Sequence, residues 1–114
     1  MQESRVPITT GSRRARSVDT GTCRITEAWF PSESILEPHR HDRHIMAIML
    51  DGSFETRIAR RRLDCAAGTV WTEPCEERHA NYVGTRGAHV VVLQPRPGAP
   101  ELAPFAALLD SVWT

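Results

Sequence analysis

The sequence predicts an all-β domain, a small barrel or sandwich followed by one C-terminal helix. Three observations carry this expectation. From about residue 16 the chain breaks into short alternating runs separated by turn residues. Helical spacing of apolar residues occurs only after Pro100, and 114 residues are the size of a single domain.

In the first run Cys23, Ile25, Glu27 and Trp29 alternate with Arg24, Thr26, Ala28 and Phe30 and stop at Pro31, the pattern of a half-buried strand. The next run, Leu36 to Leu50, is interrupted at Pro38 and ends at Asp51-Gly52, a hairpin-type turn signal. The returning strand has Phe54, Thr56 and Ile58 on one face and Glu55 on the other. Arg60 to Arg62 read as an exposed turn before a short strand at Leu63 to Cys65. Gly68 introduces Thr69 to Glu73, closed by Pro74, and Arg78 to Val83 and Ala88 to Gln94 supply two more strands.

Pro95 to Pro100 holds three prolines and a glycine and reads as a linker. Leu102, Phe105, Ala106, Leu109 and Trp113 then fall at helical spacing, with Pro104 in the first turn. The expected division is a flexible basic arm over 1–15, a barrel over 16–96, and a linker with an amphipathic helix over 97–114.

Fourteen basic residues, all arginine, balance fourteen acids. A zero net charge argues against capture of nucleic acid or an anionic membrane, and no helix-turn-helix spacing is present. The longest apolar run, Ile45 to Leu50, is too short to span a bilayer. Cys23, Cys65 and Cys75 are odd in number with no C-x-x-C spacing, so a disulfide framework is not expected and a cytoplasmic location is the default. Cys75 is the cysteine expected to be most exposed. Both faces of Ile45 to Leu50 are apolar, which predicts a second covering layer, either the terminal helix or another subunit in a homodimer.

The chemistry concentrates in Pro38-His-Arg-His-Asp-Arg-His. His39 and His41 are two apart and share a strand face, together with Ile45, Ala47 and Met49 if the strand runs unbroken. By that parity His44 lies on the opposite side. His79, with Asn81 on its own face, is the third candidate. Two alternatives stand: a three-imidazole site for a divalent metal (zinc, iron, manganese or nickel), or polar residues at a barrel mouth bonded to one another and to Asn81. Glu37, Glu55 and Glu73 are the acids able to add a carboxylate, with Glu55 placed outside by parity. His44 and His89 read as surface or structural histidines. Trp29, Trp71 and Tyr82 read as pocket walls or core. Arg60, Arg61 and Arg62 read as a solvated turn, with phosphate or carboxylate capture as the alternative.

These segments resemble the two cupin motifs, G-x5-H-x-H-x3/4-E-x6-G and G-x5-P-x-G-x2-H-x3-N. His39, His41 and Gly52 match the first; Gly68, Pro74 and His79 match the second. Four positions depart: Glu33 stands for the opening glycine, Ile45 for the glutamate, Glu76 for the glycine after the proline, and Asn81 comes two residues early. The resemblance implies a double-stranded β-helix (jelly-roll) barrel. At a finer level the run Leu36 to Leu93, with Gly52-Ser-Phe-Glu, Ala67-Gly-Thr-Val and Glu77-Arg-His-Ala-Asn, is similar to the N-terminal sensing domains of AraC-type transcriptional regulators.

That second resemblance implies a small-molecule sensing and dimerisation module without its DNA-binding half. Its ligand would lie among His39, His41, Ile45, Ala47, Met49, Phe54, Val70, Thr72, His79 and Asn81, with a metal on His39, His41 and His79. The alternative is a single-domain metal-dependent cupin enzyme, a dioxygenase, isomerase or lyase.

Overall fold

The computed structural model describes residues 8–41, 43–58, 60–73 and 78–96. These form seven strands: β1 (Arg14–Asp19), β2 (Cys23–Phe30), β3 (Ile35–His39), β4 (Ile45–Ile58), β5 (Arg61–Ala66), β6 (Val70–Glu73) and β7 (His79–Pro95). The strand order is β1-β2-β7-β4-β5, with β3 also on β7 and β6 also on β4, and every pairing is antiparallel. No helix among the described residues is long and apolar enough to cross a membrane. The linker and helix expected over 97–114, and Cys75 and Glu76, lie outside the described residues.

Two long strands frame the barrel because each serves both of its layers. β4 pairs β6 through Ile45 to Ile48 and β5 through Ser53 to Ile58. β7 pairs β3 from His79 to Tyr82 and β2 from Ala88 to Pro95. In β4 the buried residues are Ile45, Ala47 and Met49, then Phe54, Thr56 and Ile58; in β7 the alternating buried positions are His79, Asn81 and Val83, then Ala88, Val90 and Val92, with Ala80, Gly87, Gln94 and Pro95 also buried. Both strands change parity once, from odd to even, so both keep an inward face on either side of a bend.

The change in β4 coincides with irregularities between Met49 and Asp51 and between Gly52 and Phe54. Gly52 has φ 79° and crosses the β7 backbone so closely that a Cβ there would lie 1.9 Å from the Gly87 carbonyl oxygen. Asp51-Gly52 is therefore a bulge inside one strand and not the expected hairpin. A left-handed glycine serves both motifs, which is why the sequence signal does not separate them. Likewise Arg78 to Val83 and Ala88 to Gln94 are not two strands: from His79 on they belong to the single bent β7.

The hairpin lies instead between the paired residues Ile58 and Arg61. Arg60 takes φ 66°, a left-handed conformation that costs a side-chain-bearing residue about 1–2 kcal/mol. Arg61 and Arg62, expected in the turn, are already in β5. Glu33, at the glycine position of the first motif, also has a left-handed backbone, φ 60°; the turn keeps the conformation without the glycine.

The start of the barrel also moves. Arg14 and Ala15, assigned to the arm by composition, belong to β1, paired with Trp29 and Ala28. Arg14 lies over the Trp29 ring, 3.9 Å from its centroid, and Arg16 bonds Glu27 at 2.7 Å. Basic residues with partners one strand away become sheet, and charges on an edge strand blunt further pairing.

The core joins Ala28 and Phe30 of β2, the inward residues of β4, Leu63 and Cys65 of β5, Trp71 of β6, and Val83, Ala88, Val90 and Val92 of β7, with Ile8 and Leu36 packed against it. Phe54 meets Phe30 and Trp71 edge-on at 5.3 and 6.1 Å between ring centroids. The outer face of β4 is only partly covered: Met46 and Ile48 are half-buried and Leu50 is 45% exposed.

Candidate metal centre

Three histidines from β3, the residues just after it, and β7 meet inside the barrel. His39 ends β3, His41 follows two residues later, and His79 opens β7 as the register partner of His39. All three are buried. Their ring centroids lie 4.3 Å apart for His39–His79, 4.9 Å for His39–His41 and 5.0 Å for His41–His79. One nitrogen from each falls within 4.8 Å of the others, so the parity argument that grouped His39 with His41 holds in the fold. His44 is half-buried and does not line the cavity.

The rings are set for coordination by their surroundings. His39 Nδ1 lies 2.5 Å from the Glu37 carbonyl oxygen; a proton held there leaves Nε2 with its lone pair, as metal-binding imidazoles require. Burial lowers the His39 pKa, and the nearby His79 lowers it further, against the Glu37 carbonyl and the Glu73 carboxylate. His39 is thus held neutral at ordinary pH.

A buried carboxylate stands beside the three-histidine group. Glu73, the last residue of β6, is 4% exposed, and its Oε1 lies 3.4 Å from His79 Nε2. Burial raises its pKa, and the His41 and His39 rings and the Trp71 indole partly oppose the rise. The separation of 3.4 Å is about the edge of a tetrahedron with bonds near 2.1 Å. A hard or borderline divalent cation suits three imidazoles and one carboxylate, and the residues present fit such an ion. Of the other acids, Glu37 is exposed and contributes only its carbonyl, while Glu55 sits outside, bound to Arg57 at 3.1 Å and to Arg62 at 3.2 Å.

The remaining walls are mostly apolar. Ile45, Ala47, Phe54 and Asn81 line the cavity as expected, with Trp71, Phe30, Leu36, Val90 and Val92, and with Ile8 and Thr10 from the segment before β1. Asn81 Nδ2 donates to Thr56 Oγ1 at 2.9 Å, which fixes its amide. The space left is 20 Å³, room for about one water. Met49 is buried core but does not line it.

Val70 and Thr72 are misplaced by the sequence reading. Their register partners are Ile48 and Met46 on the outer side of β4, whereas Trp71 and Glu73 oppose Ala47 and Ile45 on the inner side. A large indole opposite a small alanine fills the barrel, and this cross-strand fit overrides the alternation that put Val70 and Thr72 inward. Of the other aromatics, Trp29 stacks on His89 outside the barrel at 4.6 Å, and His89 is bonded to Glu27 at 2.6 Å.

No protein-family model and no curated relative matches the sequence. Solved structures do match. KdgF from Halomonas sp. is 17% identical with TM-score 0.64, over 84% of this chain and 89% of that one. An RmlC-like cupin from Shewanella frigidimarina is 16% identical with TM-score 0.67, over 90% of each chain. A Bacillus subtilis oxalate decarboxylase variant is 20% identical with TM-score 0.67, over 76% of this chain and 26% of that one.

The chain has the cupin fold. Against the cupin motif, Ile45 occupies the glutamate position, and its register partner across the ladder is Glu73. The carboxylate missing from β4 is thus present on the adjacent strand, on the same face. Sequence spacing named Glu73 as one of three acids, and only the β4–β6 register singles it out.

Proposed function

We propose that the barrel is a small metal-dependent enzyme in which His39, His41, His79 and Glu73 hold one divalent cation. The observation that carries this reading is the convergence of three buried imidazoles, with a buried carboxylate beside His79, in a cavity whose remaining walls are mostly apolar. A bare cluster of that kind is costly to bury, and a cation offsets the cost. Iron, manganese, zinc and nickel all accept this donor set. Such an ion, when bound, acts as a Lewis acid on a substrate oxygen.

The chain's own residues do the rest. His39 is oriented by the Glu37 carbonyl, Phe54, Trp71 and Val90 supply apolar wall, and Asn81 holds a fixed amide at the edge of the site. The small space favours a substrate of few atoms, with Ile8 and Thr10 as the groups that must yield to anything larger. The presence of an oxalate decarboxylase among the fold neighbours supports an enzyme acting on a small carboxylate. The sensing-domain reading needs a terminal helix that lies outside the described residues. A homodimer remains part of the proposal, resting on the partly covered outer face around Leu50.

The test is turnover. Metal-depleted protein reloaded separately with manganese, iron(II), zinc or nickel is incubated with oxalate and other short carboxylic and keto acids. Metal-dependent conversion lost in His41→Ala supports the reading. Full metal occupancy with no conversion of any of them turns it toward a binding module.

A further inference from the structure

The cavity wall holds a buried hydrogen-bond donor that the metal centre does not use. Trp71 is 2% exposed, and its indole Nε1 is shut off from solvent with no hydrogen-bond partner among the described residues. The residue lines the same cavity as the three histidines and Glu73. The N–H lies near enough to the Glu73 carboxylate to favour its charged form, yet the two are not hydrogen-bonded. An indole N–H can only donate, and a buried donor left unpaired is costly.

The β4–β6 ladder sets this donor beside the centre. Trp71 stands opposite Ala47 and Glu73 opposite Ile45, so the indole and the carboxylate leave β6 on the same face. Alanine is the small partner that admits the indole to the barrel, and Phe54 meets the ring edge-on at 6.1 Å between centroids. The amide donor of the wall is already committed, because Asn81 Nδ2 donates to Thr56 Oγ1 at 2.9 Å. Nδ1 of His39 is likewise occupied by the Glu37 carbonyl. Packing alone calls for an aromatic hydrocarbon such as phenylalanine, which would bury no unpaired N–H; the indole nitrogen is explained by an acceptor that arrives with a ligand.

We propose that Trp71 orients the substrate, its indole N–H donating a hydrogen bond to a carboxylate oxygen of the small acid bound at the centre. The inference rests on the reading of the barrel as a metal-dependent enzyme and adds the residue that recognises the ligand. The space of 20 Å³ takes about one water, so it holds one oxygen of the ligand, and the rest of the molecule lies where Ile8 and Thr10 yield. A charged oxygen is the strongest acceptor for such a donor, and a buried donor discriminates against ligands that cannot accept. No proton or bond is transferred at Trp71; it fixes where the ligand oxygen sits.

The experiment is nitrogen–proton correlation NMR of the isotope-labelled full chain, whose three tryptophans each give one indole N–H signal. Trp29→Phe and Trp113→Phe assign the Trp71 signal by elimination, so the assignment needs no variant inside the barrel. Metal-free and zinc-loaded chain are titrated with formate, and zinc uptake is measured separately by competition with a chelating dye. The expected result is a saturable downfield movement of the Trp71 signal in the zinc-loaded chain, while that of Trp29, outside the barrel, stays in place. In Trp71→Phe formate should bind at least about tenfold more weakly, with zinc affinity within about twofold of wild type. Should Trp71→Phe not fold, the wild-type titration decides alone. A Trp71 signal unmoved across the formate titration would overturn the inference, as would a loss of zinc affinity in Trp71→Phe as large as the loss of formate affinity. A chain that takes up no zinc, manganese, iron(II) or nickel fails the metal reading in the dye assay; the metal-free titration then decides the inference, the same movement supporting it and its absence overturning it.

Discussion

Gly52→Ala tests the bend that brings the two halves of β4 onto the site. The added Cβ would lie 1.9 Å from the Gly87 carbonyl oxygen, 2.7 Å from its carbonyl carbon and 3.0 Å from Ala88 Cα. All three are backbone atoms, and carbon–oxygen contacts between strands normally close to only about 3.3 Å, so β4 and β7 must part by more than an ångström. The left-handed backbone costs alanine about 1–2 kcal/mol, and overpacking of this kind about 1–3 kcal/mol, for a total of roughly 2–5 kcal/mol. Gly68→Ala is the control: Gly68 has φ 90° with nothing within 4 Å of its Cβ, so only the backbone cost of about 1–2 kcal/mol applies. Urea unfolding followed by tryptophan fluorescence measures both, with an unchanged m-value as the check that the denatured state is the same. Against a total stability of about 5–15 kcal/mol the difference is easily resolved. Losses equal to within about 0.5 kcal/mol would mean that Gly52 and Gly87 do not approach, and the β4–β7 register, with the placement of the site upon it, would be wrong.

Three further outcomes follow from the site and core. Glu73→Gln keeps volume and removes a buried charge, so the metal-free protein should be no less stable than wild type while its affinity for zinc or manganese falls by at least about tenfold, read by competition with a chelating dye. In metal-free protein the lowered His39 pKa means that the unfolded chain takes up protons below about pH 6.5 that the folded chain refuses, so stability falls on acidification. The raised Glu73 pKa acts in the opposite sense: its contribution is present below about pH 4.5 and is lost as pH rises through its folded value. Urea midpoints between pH 7.5 and 5.0 should therefore fall more steeply in Glu73→Gln than in wild type. Cys65 is fully buried with its thiol pushed up to about 11, so at pH 8 it should resist a thiol reagent in the native state and react only on unfolding, whereas half-buried Cys23 reacts before it; mass mapping of the labelled peptides distinguishes the two.

Strand faces were legible wherever one face was clearly apolar, as in Phe54, Thr56 and Ile58, and the two-residue spacing of His39 and His41 was enough to pair them. Bends were not, because the left-handed glycine at Gly52 signals a bulge and a hairpin alike. The four residues of β6 were too few for alternation to decide between Val70 with Thr72 and Trp71 with Glu73. What decides it is pairing with Ala47 and Ile45, a long-range contact with no local signal. The same limit hid the carboxylate, which is absent at Ile45 in sequence yet present on its neighbour across the ladder.

The most direct measurement is the metal content of untagged protein purified without chelator, compared with His79→Ala and Glu73→Gln. The account predicts a near-stoichiometric divalent transition metal in the wild type, lost in His79→Ala and reduced in Glu73→Gln, with all three proteins folded. A folded wild type that carries no metal, and takes up none on dialysis against zinc, manganese, iron(II) or nickel, would contradict it.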